Sequence, residues 1–118
     1  MNIGLIGLGN IGVHFGTRLL DAGHDLIVHD RSAPAQERLV AKGAKTATSA
    51  KELASRVEIV LLCLPMPRVV ADVASEVVQG DKVRIVVDLS TTGPSVTKEV
   101  EALLNASNID LVGAPVSG

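Results

Sequence analysis

A chain of 118 residues with 47% hydrophobic side chains has room for one compact core and not comfortably for two. Lys and Arg number 11 against 13 Asp and Glu, and a net charge of −2 offers no electrostatic footprint for nucleic acid or an anionic membrane surface. The lone cysteine, Cys63, excludes an intrachain disulfide, and no Cys/His cluster has zinc spacing, so no metal is expected and a reducing cytoplasm is the default location.

Asn2 to Ile6 forms a first apolar run, entered at Ile3 with no basic stretch before it and broken by Gly4, so it reads as a strand and not as a signal peptide. Ile11, Phe15, Leu19 and Ala22 then recur at helical spacing, predicting a helix from about Ile11 to Ala22 that Gly23 terminates. Further strands are expected at Asp25 to His29, weakly at Ala44 to Ala47, and at Val57 to Leu64, Val83 to Leu89 and Ile109 to Val112. Pro34, Pro67 and Pro94 each fall near the start of a later helical stretch, where a missing N–H costs little. Val69, Val73 and Val77, then Val96, Val100, Leu103 and Leu104, mark the expected buried faces of two of these helices. The longest clean apolar stretch, Ile59 to Leu64, falls far short of the roughly 18 to 20 residues that cross a bilayer, so no membrane association is expected.

The longest strand runs are continuous rather than alternating, the pattern of parallel strands buried on both faces. About six strands alternating with helices, joined by right-handed crossovers, imply an α/β doubly wound parallel sheet with helices on both faces, the Rossmann arrangement. The expected strand order is 3-2-1-4-5-6, with a ligand crevice at the carboxyl ends of strands one and four.

Gly7-Leu8-Gly9-Asn10-Ile11-Gly12 matches G-x-G-x-x-G between a strand and an amphipathic helix, the context in which this otherwise weak pattern carries meaning. Gly7 suits the tight turn, Gly9 the approach of a pyrophosphate, and Gly12 close packing of helix on strand. The helix N-terminus adds N–H groups and a positive dipole end for an anion. Asp30 ends the second strand about 20 residues further on, where a carboxylate accepts from the adenosine ribose hydroxyls and favours NAD over NADP. Arg31 and Ser32 complicate that preference, since a guanidinium there can pair with a 2′-phosphate or stack on adenine; a solvated surface charge is the competing reading.

Three segments resemble the 3-hydroxyisobutyrate dehydrogenase and 6-phosphogluconate dehydrogenase family, the β-hydroxyacid dehydrogenases. They are the Gly7 to Gly12 loop with Leu20-Asp21-Ala22-Gly23-His24, then Asp88-Leu89-Ser90-Thr91, and Ala114-Pro115-Val116-Ser117-Gly118. The family usually has Met where Ile11 stands. The resemblance implies that Leu64 and Pro65 lie against the cofactor, that Thr91 contacts its nicotinamide half, and that Ser117 and Gly118 help hold a small carboxylate substrate. It also implies a catalytic lysine beyond Gly118, followed by an all-helical domain, so no catalytic residue is assigned in residues 1–118. Lys98 does not match that lysine's motif. The implied activity is hydride transfer between a nicotinamide and a 3-hydroxy acid or its oxo acid, with imine reductase and a non-catalytic NAD(P)-binding module as alternatives.

Read without the family, Pro65 and Pro67 only end a strand and start a helix, and Thr91 or Thr92 is an ordinary N-cap. His14, His24 and His29 have no partner spacing for a metal or a base, Cys63 reads as a buried small hydrophobe, and Asp88 as a strand-end turn residue. Apolar surface left uncovered by the expected helical domain makes a homo-oligomer plausible.

Overall fold

Strands and helices alternate along the chain in the computed structural model, which describes residues 2–64, 66–90 and 94–113, without the side chains of Asn10, Pro67 and residues 94–96. In order they are β1 (Asn2–Ile6), α1 (Asn10–Asp21), β2 (Asp25–His29), α2 (Ala33–Val40), β3 (Lys45–Thr46), α3 (Ala50–Ala54), β4 (Ile59–Leu62), α4 (Pro67–Val77), β5 (Ile85–Asp88), α5 (Pro94–Asn105) and β6 (Asp110–Gly113). The strands form one parallel sheet in the order β3-β2-β1-β4-β5-β6, as expected for the doubly wound arrangement. The central strand β1 sits with Ile3 between Leu26 of β2 and Ile59 of β4.

Two apolar layers flank the sheet. On one face α1 and α2 close over Leu5, Leu26 and Val28, with Leu39 fully buried among them. On the other, Leu53 of α3, Val70, Ala74 and Val77 of α4, and Val100 and Leu104 of α5 pack on Val60, Leu62 and Val86. Each fully buried Leu or Val of these layers contributes about 1.5–3 kcal/mol by leaving water.

The observed faces of two helices are rotated from those the apolar spacing predicts. Ile11 is 46% exposed and Ala22 is exposed, while Gly12 and Gly16 are buried. A Cβ on Gly16 would stand 2.7 Å from Leu39 Cδ1, so α1 approaches its neighbours through positions that carry no side chain, which a count of apolar residues does not register. In α4 the buried positions are Val70, Ala74 and Val77, and Val69 and Val73 are only partly buried. The helix end is as read: Gly23, at φ 90°, donates its N–H to Leu20 O and His24 to Leu19 O, closing α1 with a left-handed glycine.

The short helix α3 has no counterpart in the sequence reading. Its start is a capping arrangement, Ser49-Ala50-Lys51-Glu52, in which Ser49 Oγ accepts the Glu52 N–H at 3.1 Å. The Glu52 carboxylate turns to the Thr48 hydroxyl, and that bond holds its pKa below the usual carboxylate value. Strands β4 and β5 are shorter than their apolar runs, losing Val57, Glu58, Val83 and Arg84 at one end and Cys63, Leu64 and Leu89 at the other, where Cys63 and Leu64 go on to border the site.

Among the described residues, cover is thin on one side of β4–β6. Ile59, Ile85, Val87 and Val112 share the side of β4–β6 turned away from α4 and α5. Among the described residues the first three are only partly buried and Val112 is 48% exposed.

Candidate functional site

The carboxyl ends of β1, β2 and β4 meet around a crevice of about 600 Å³, within the range of small-molecule sites. The segment that forms its floor leaves β1 at Ile6 and turns sharply at Gly7, whose φ of 89° belongs to the left-handed region. The Gly7 N–H is held by His29 O at 3.1 Å, and a Cβ on Gly7 would fall on the Cys63 carbonyl oxygen and 2.7 Å from Leu64 Cδ2. Gly12 is equally closed in, but against the Gly7 carbonyl oxygen rather than against the strand, so its role is to let α1 begin directly beneath the turn.

Gly9 is the opposite case. No atom lies within 4 Å of where its Cβ would be, and it caps α1 with no side-chain hydrogen bond at that helix end. Val13 N–H reaches back to Gly9 O at 3.1 Å, so the amides before it lie in the turn whose N–H groups a helix leaves without intrahelical acceptors. No acidic residue stands in that first turn. An open, electropositive backbone edge is what a phosphate group requires, so the loop fits a pyrophosphate.

Asp30 ties this loop to the end of β2. Its Oδ2 accepts the Leu8 N–H at 2.6 Å and its Oδ1 the Ser32 N–H at 2.8 Å, while the Asp30 N–H donates to Gln36 Oε1 at 3.1 Å. Each carboxylate oxygen keeps a second acceptor position, so Asp30 can brace the loop and still take a hydroxyl. Arg31 is exposed on the crevice rim. Ser32 is committed to α2, its Oγ accepting the Ala35 N–H at 3.4 Å as the N-cap.

The opposite wall comes from β4 and α4. Cys63 N–H donates to Ile6 O at 2.9 Å, and the next amide, Leu64 N–H, donates to Ser90 Oγ at 2.7 Å. Ser90 is 6% exposed and Asp88 5%. Asp88 Oδ1 accepts the Ser90 N–H at 2.8 Å, so Asp88 is the strand-end turn residue its position suggests. Burial, and after it the Asp88 charge, push the Cys63 thiol above its usual pKa. Val69 and Val73 complete the wall, with Glu76 further along α4.

Gly7, Leu8, Gly9, Ile11, Asp30, Arg31 and Leu64 therefore border one crevice, whereas Gly12 and Ser32 do not line it. Asn10 begins α1, but its side chain, and all of Pro65, Thr91, Ser117 and Gly118, lie outside the described residues. Val69, Val73 and Ser90 were not anticipated as part of the site: the two valines fit a core stripe equally well, and Ser90 was visible only as a letter of the Asp88 to Thr91 segment. Two of the three histidines have ordinary partners, His14 Nε2 accepting from Arg18 Nε at 3.1 Å and His29 Nδ1 lying 3.1 Å from Ala47 O. Among the described residues no cluster could hold a metal ion and no helix is long and apolar enough to cross a membrane.

Comparison with known proteins agrees with this geometry. The family model for the NAD binding domain of 6-phosphogluconate dehydrogenase matches residues 2–118. The mitochondrial 3-hydroxyisobutyrate dehydrogenase of Drosophila melanogaster is 38% identical over 120 residues, covering 99% of this chain and 37% of that enzyme. The Mycobacterium tuberculosis 3-hydroxyisobutyrate dehydrogenase, solved with L-serine, superposes with a TM-score of 0.92 at 30% identity, over 99% of this chain and 40% of that one. An imine reductase of Streptomyces aurantiacus gives a TM-score of 0.87 at 25% identity, over 96% and 40%. The chain thus spans about two fifths of the length of these relatives. It belongs to the family of the NAD binding domain of 6-phosphogluconate dehydrogenase, within the β-hydroxyacid dehydrogenases.

Proposed function

We propose that the chain holds its nicotinamide dinucleotide across the Gly9 crevice, prefers NAD to NADP, and serves an oxidoreductase that moves hydride between the nicotinamide and a 3-hydroxy acid or its oxo acid. The observation that carries this reading is the contrast between Gly9, open to the crevice above an uncapped helix N-terminus, and the closed-in Gly7 and Gly12. The first-turn amides of α1 would hold the pyrophosphate. Asp30, fixed by Leu8 and Ser32, would accept from the ribose hydroxyls, and its charge disfavours a 2′-phosphate there. Arg31 would lie over the adenosine end, and Ser32 would act through the turn it caps. Leu64 and Pro65 are assigned to the cofactor, Thr91 to its nicotinamide half, and Ser117 and Gly118 to the substrate carboxylate, on the family resemblance.

The nicotinamide supplies the hydride acceptor or donor, while the chain supplies orientation and a dry apolar wall in Leu64, Val69 and Val73. We assign no general acid or base to residues 1–118, so residues 1–118 alone should bind cofactor without turning over a 3-hydroxy acid. Steady NADH production by them would contradict that. Titrating the chain with NADH and NADPH by cofactor fluorescence tests the main reading. Tighter NADH binding is expected; tighter NADPH binding would reverse the preference, and no binding of either would remove the site.

A second reading, imine reduction, draws on the likeness to the Streptomyces aurantiacus enzyme. Assaying the longest encoded protein on 3-hydroxy acids and on cyclic imines separates the two. The lone Cys63 supports a reducing compartment, the cytoplasm by default, although the name of the fruit-fly relative points equally to mitochondria. The partly covered apolar side of β4–β6 supports a homo-oligomer, which sedimentation at rising concentration would reveal.

A further inference from the structure

At Leu62 the ladder between β4 and β5 ends: Leu62 pairs with Asp88, and the Leu89 N–H makes a last bond to Leu62 O at 2.8 Å. Beyond it β4 turns towards the crevice, and the Leu64 N–H leaves the ladder. Ser90 meets that amide with a side chain in place of a carbonyl, its Oγ accepting the Leu64 N–H at 2.7 Å and donating to Leu62 O at 3.4 Å. The hydroxyl is itself held in place, because Asp88 Oδ1 fixes the Ser90 N–H at 2.8 Å in a buried setting.

The amide so held belongs to a residue with a job. Leu64 lines the crevice, and its Cδ2 stands 2.7 Å from where a Gly7 Cβ would be; the carbonyl of the preceding Cys63 closes the same turn. The Cys63–Leu64 segment is thus wedged between the turn of the phosphate loop and β5, pinned to β1 by the Cys63 N–H and, among the described residues, to β5 through Ser90 Oγ and the bonds at Leu62.

We propose that Ser90 is a positioning residue for dinucleotide binding: by holding the Leu64 amide it fixes the crevice wall against the Gly7 turn and so sets the width available to the cofactor. The proposal rests on the reading of the crevice as a nicotinamide dinucleotide site. Losing the hydroxyl frees the Leu64 N–H and lets the wall relax into the space beside the loop. A wall that must be reordered on binding lowers affinity even where the fold survives.

The test compares the wild-type chain with Ser90→Ala and with Leu104→Ala, a fully buried α5 position that does not border the crevice. Each is titrated with NADH and unfolded in urea without ligand. Ser90→Ala is expected to weaken NADH binding about tenfold, the net worth of roughly one buried hydrogen bond. Leu104→Ala is expected to lose stability with affinity unchanged, and Ser90→Thr, which keeps the hydroxyl, to retain binding. NADH affinity of Ser90→Ala within twofold of wild type, or an equal loss in Leu104→Ala, would overturn the proposal. If Ser90→Ala does not fold, amide exchange at Leu64 in the wild type decides: slowing on addition of NADH supports the role, and no change overturns it. Failure of the wild type to bind either dinucleotide would instead bring down the site itself, and is read before any variant is made.

Discussion

Gly7 and Gly9 stand two residues apart in one loop, yet replacing them should damage different things. In Gly7→Ala the new Cβ meets a backbone carbonyl, that of Cys63, at a residue whose φ is 89°. Left-handed backbone costs a non-glycine residue about 1–2 kcal/mol, and displacing a packed neighbour costs about 1–3 kcal/mol more. The variant should therefore lose about 2–5 kcal/mol, because neither the carbonyl nor the Leu64 side chain can retreat without disturbing β4. In Gly9→Val the side chain enters empty space, so the loss of stability should be about 1 kcal/mol, the cost of a poor N-cap residue, and below that of Gly7→Ala. Its cost appears on binding, where it takes the place of a group accepting charge-assisted hydrogen bonds worth about 1.5–3 kcal/mol, or roughly ten- to a hundredfold in affinity. Urea unfolding, read from the midpoint and slope, measures the first quantity, and NADH fluorescence titration the second. An unchanged urea midpoint for Gly7→Ala, or unchanged NADH affinity for Gly9→Val, would refute the assignment of turn and phosphate floor.

Asp30→Ala removes a charged acceptor from the Leu8 and Ser32 amides and should cost about 1.5–3 kcal/mol, with the ratio of NADH to NADPH affinity narrowing; a ratio that stays constant would take Asp30 out of cofactor selection. Leu39→Ala opens a cavity where α2 meets Gly16 of α1 and should cost about 2–5 kcal/mol in urea unfolding, with a loss below 1 kcal/mol contradicting the close contact of the two helices. Cys63 is held protonated in the fold by burial and by Asp88, so the native state keeps a proton that the unfolded chain gives up. Its contribution to stability is present below the ordinary thiol pKa of 9.0 and disappears as pH rises through the higher folded value. Alkylation by iodoacetamide should accordingly be slower for the native chain than for the urea-unfolded chain at neutral pH; equal rates would contradict the burial.

The strand order and the loop were legible because each rests on a local signal repeated along the chain: continuous Val, Ile and Leu runs for buried parallel strands, and glycines between β1 and α1 for the turn. Which way α1 faces was only partly legible, since its closest approaches are made through Gly12 and Gly16, with Val13, Leu19 and Leu20 packing beside them, and the apolar Ile11 points to the crevice instead. The same ambiguity hid Val69 and Val73, because a binding wall and a core stripe are written in the same residues. Ser90 escaped for a different reason. Its work is a single hydrogen bond to an amide 26 residues earlier, and no spacing rule connects a strand-end serine to the strand beside it. Helix α3, by contrast, carried a readable mark in Ser49 and Glu52, but at five residues it left no apolar period to draw attention to it.

The position of β1 at the middle of the sheet has a consequence for how the chain is made. As synthesis proceeds, β1 emerges first and finds β2 soon after, yet its other edge waits for Ile59 to Leu62, and the Gly7 turn has nothing to close against until Cys63 is out. Contacts of such sequence separation are slow to form, and an unfilled central edge is the surface on which nascent chains mispair. Arrest with the chain exposed only as far as β3 should thus leave it protease-sensitive, with protection appearing once β4 and the α4, β5 and α5 residues that cover it have emerged. The Gly7 loop thus takes its shape only after a strand that follows it by about fifty residues.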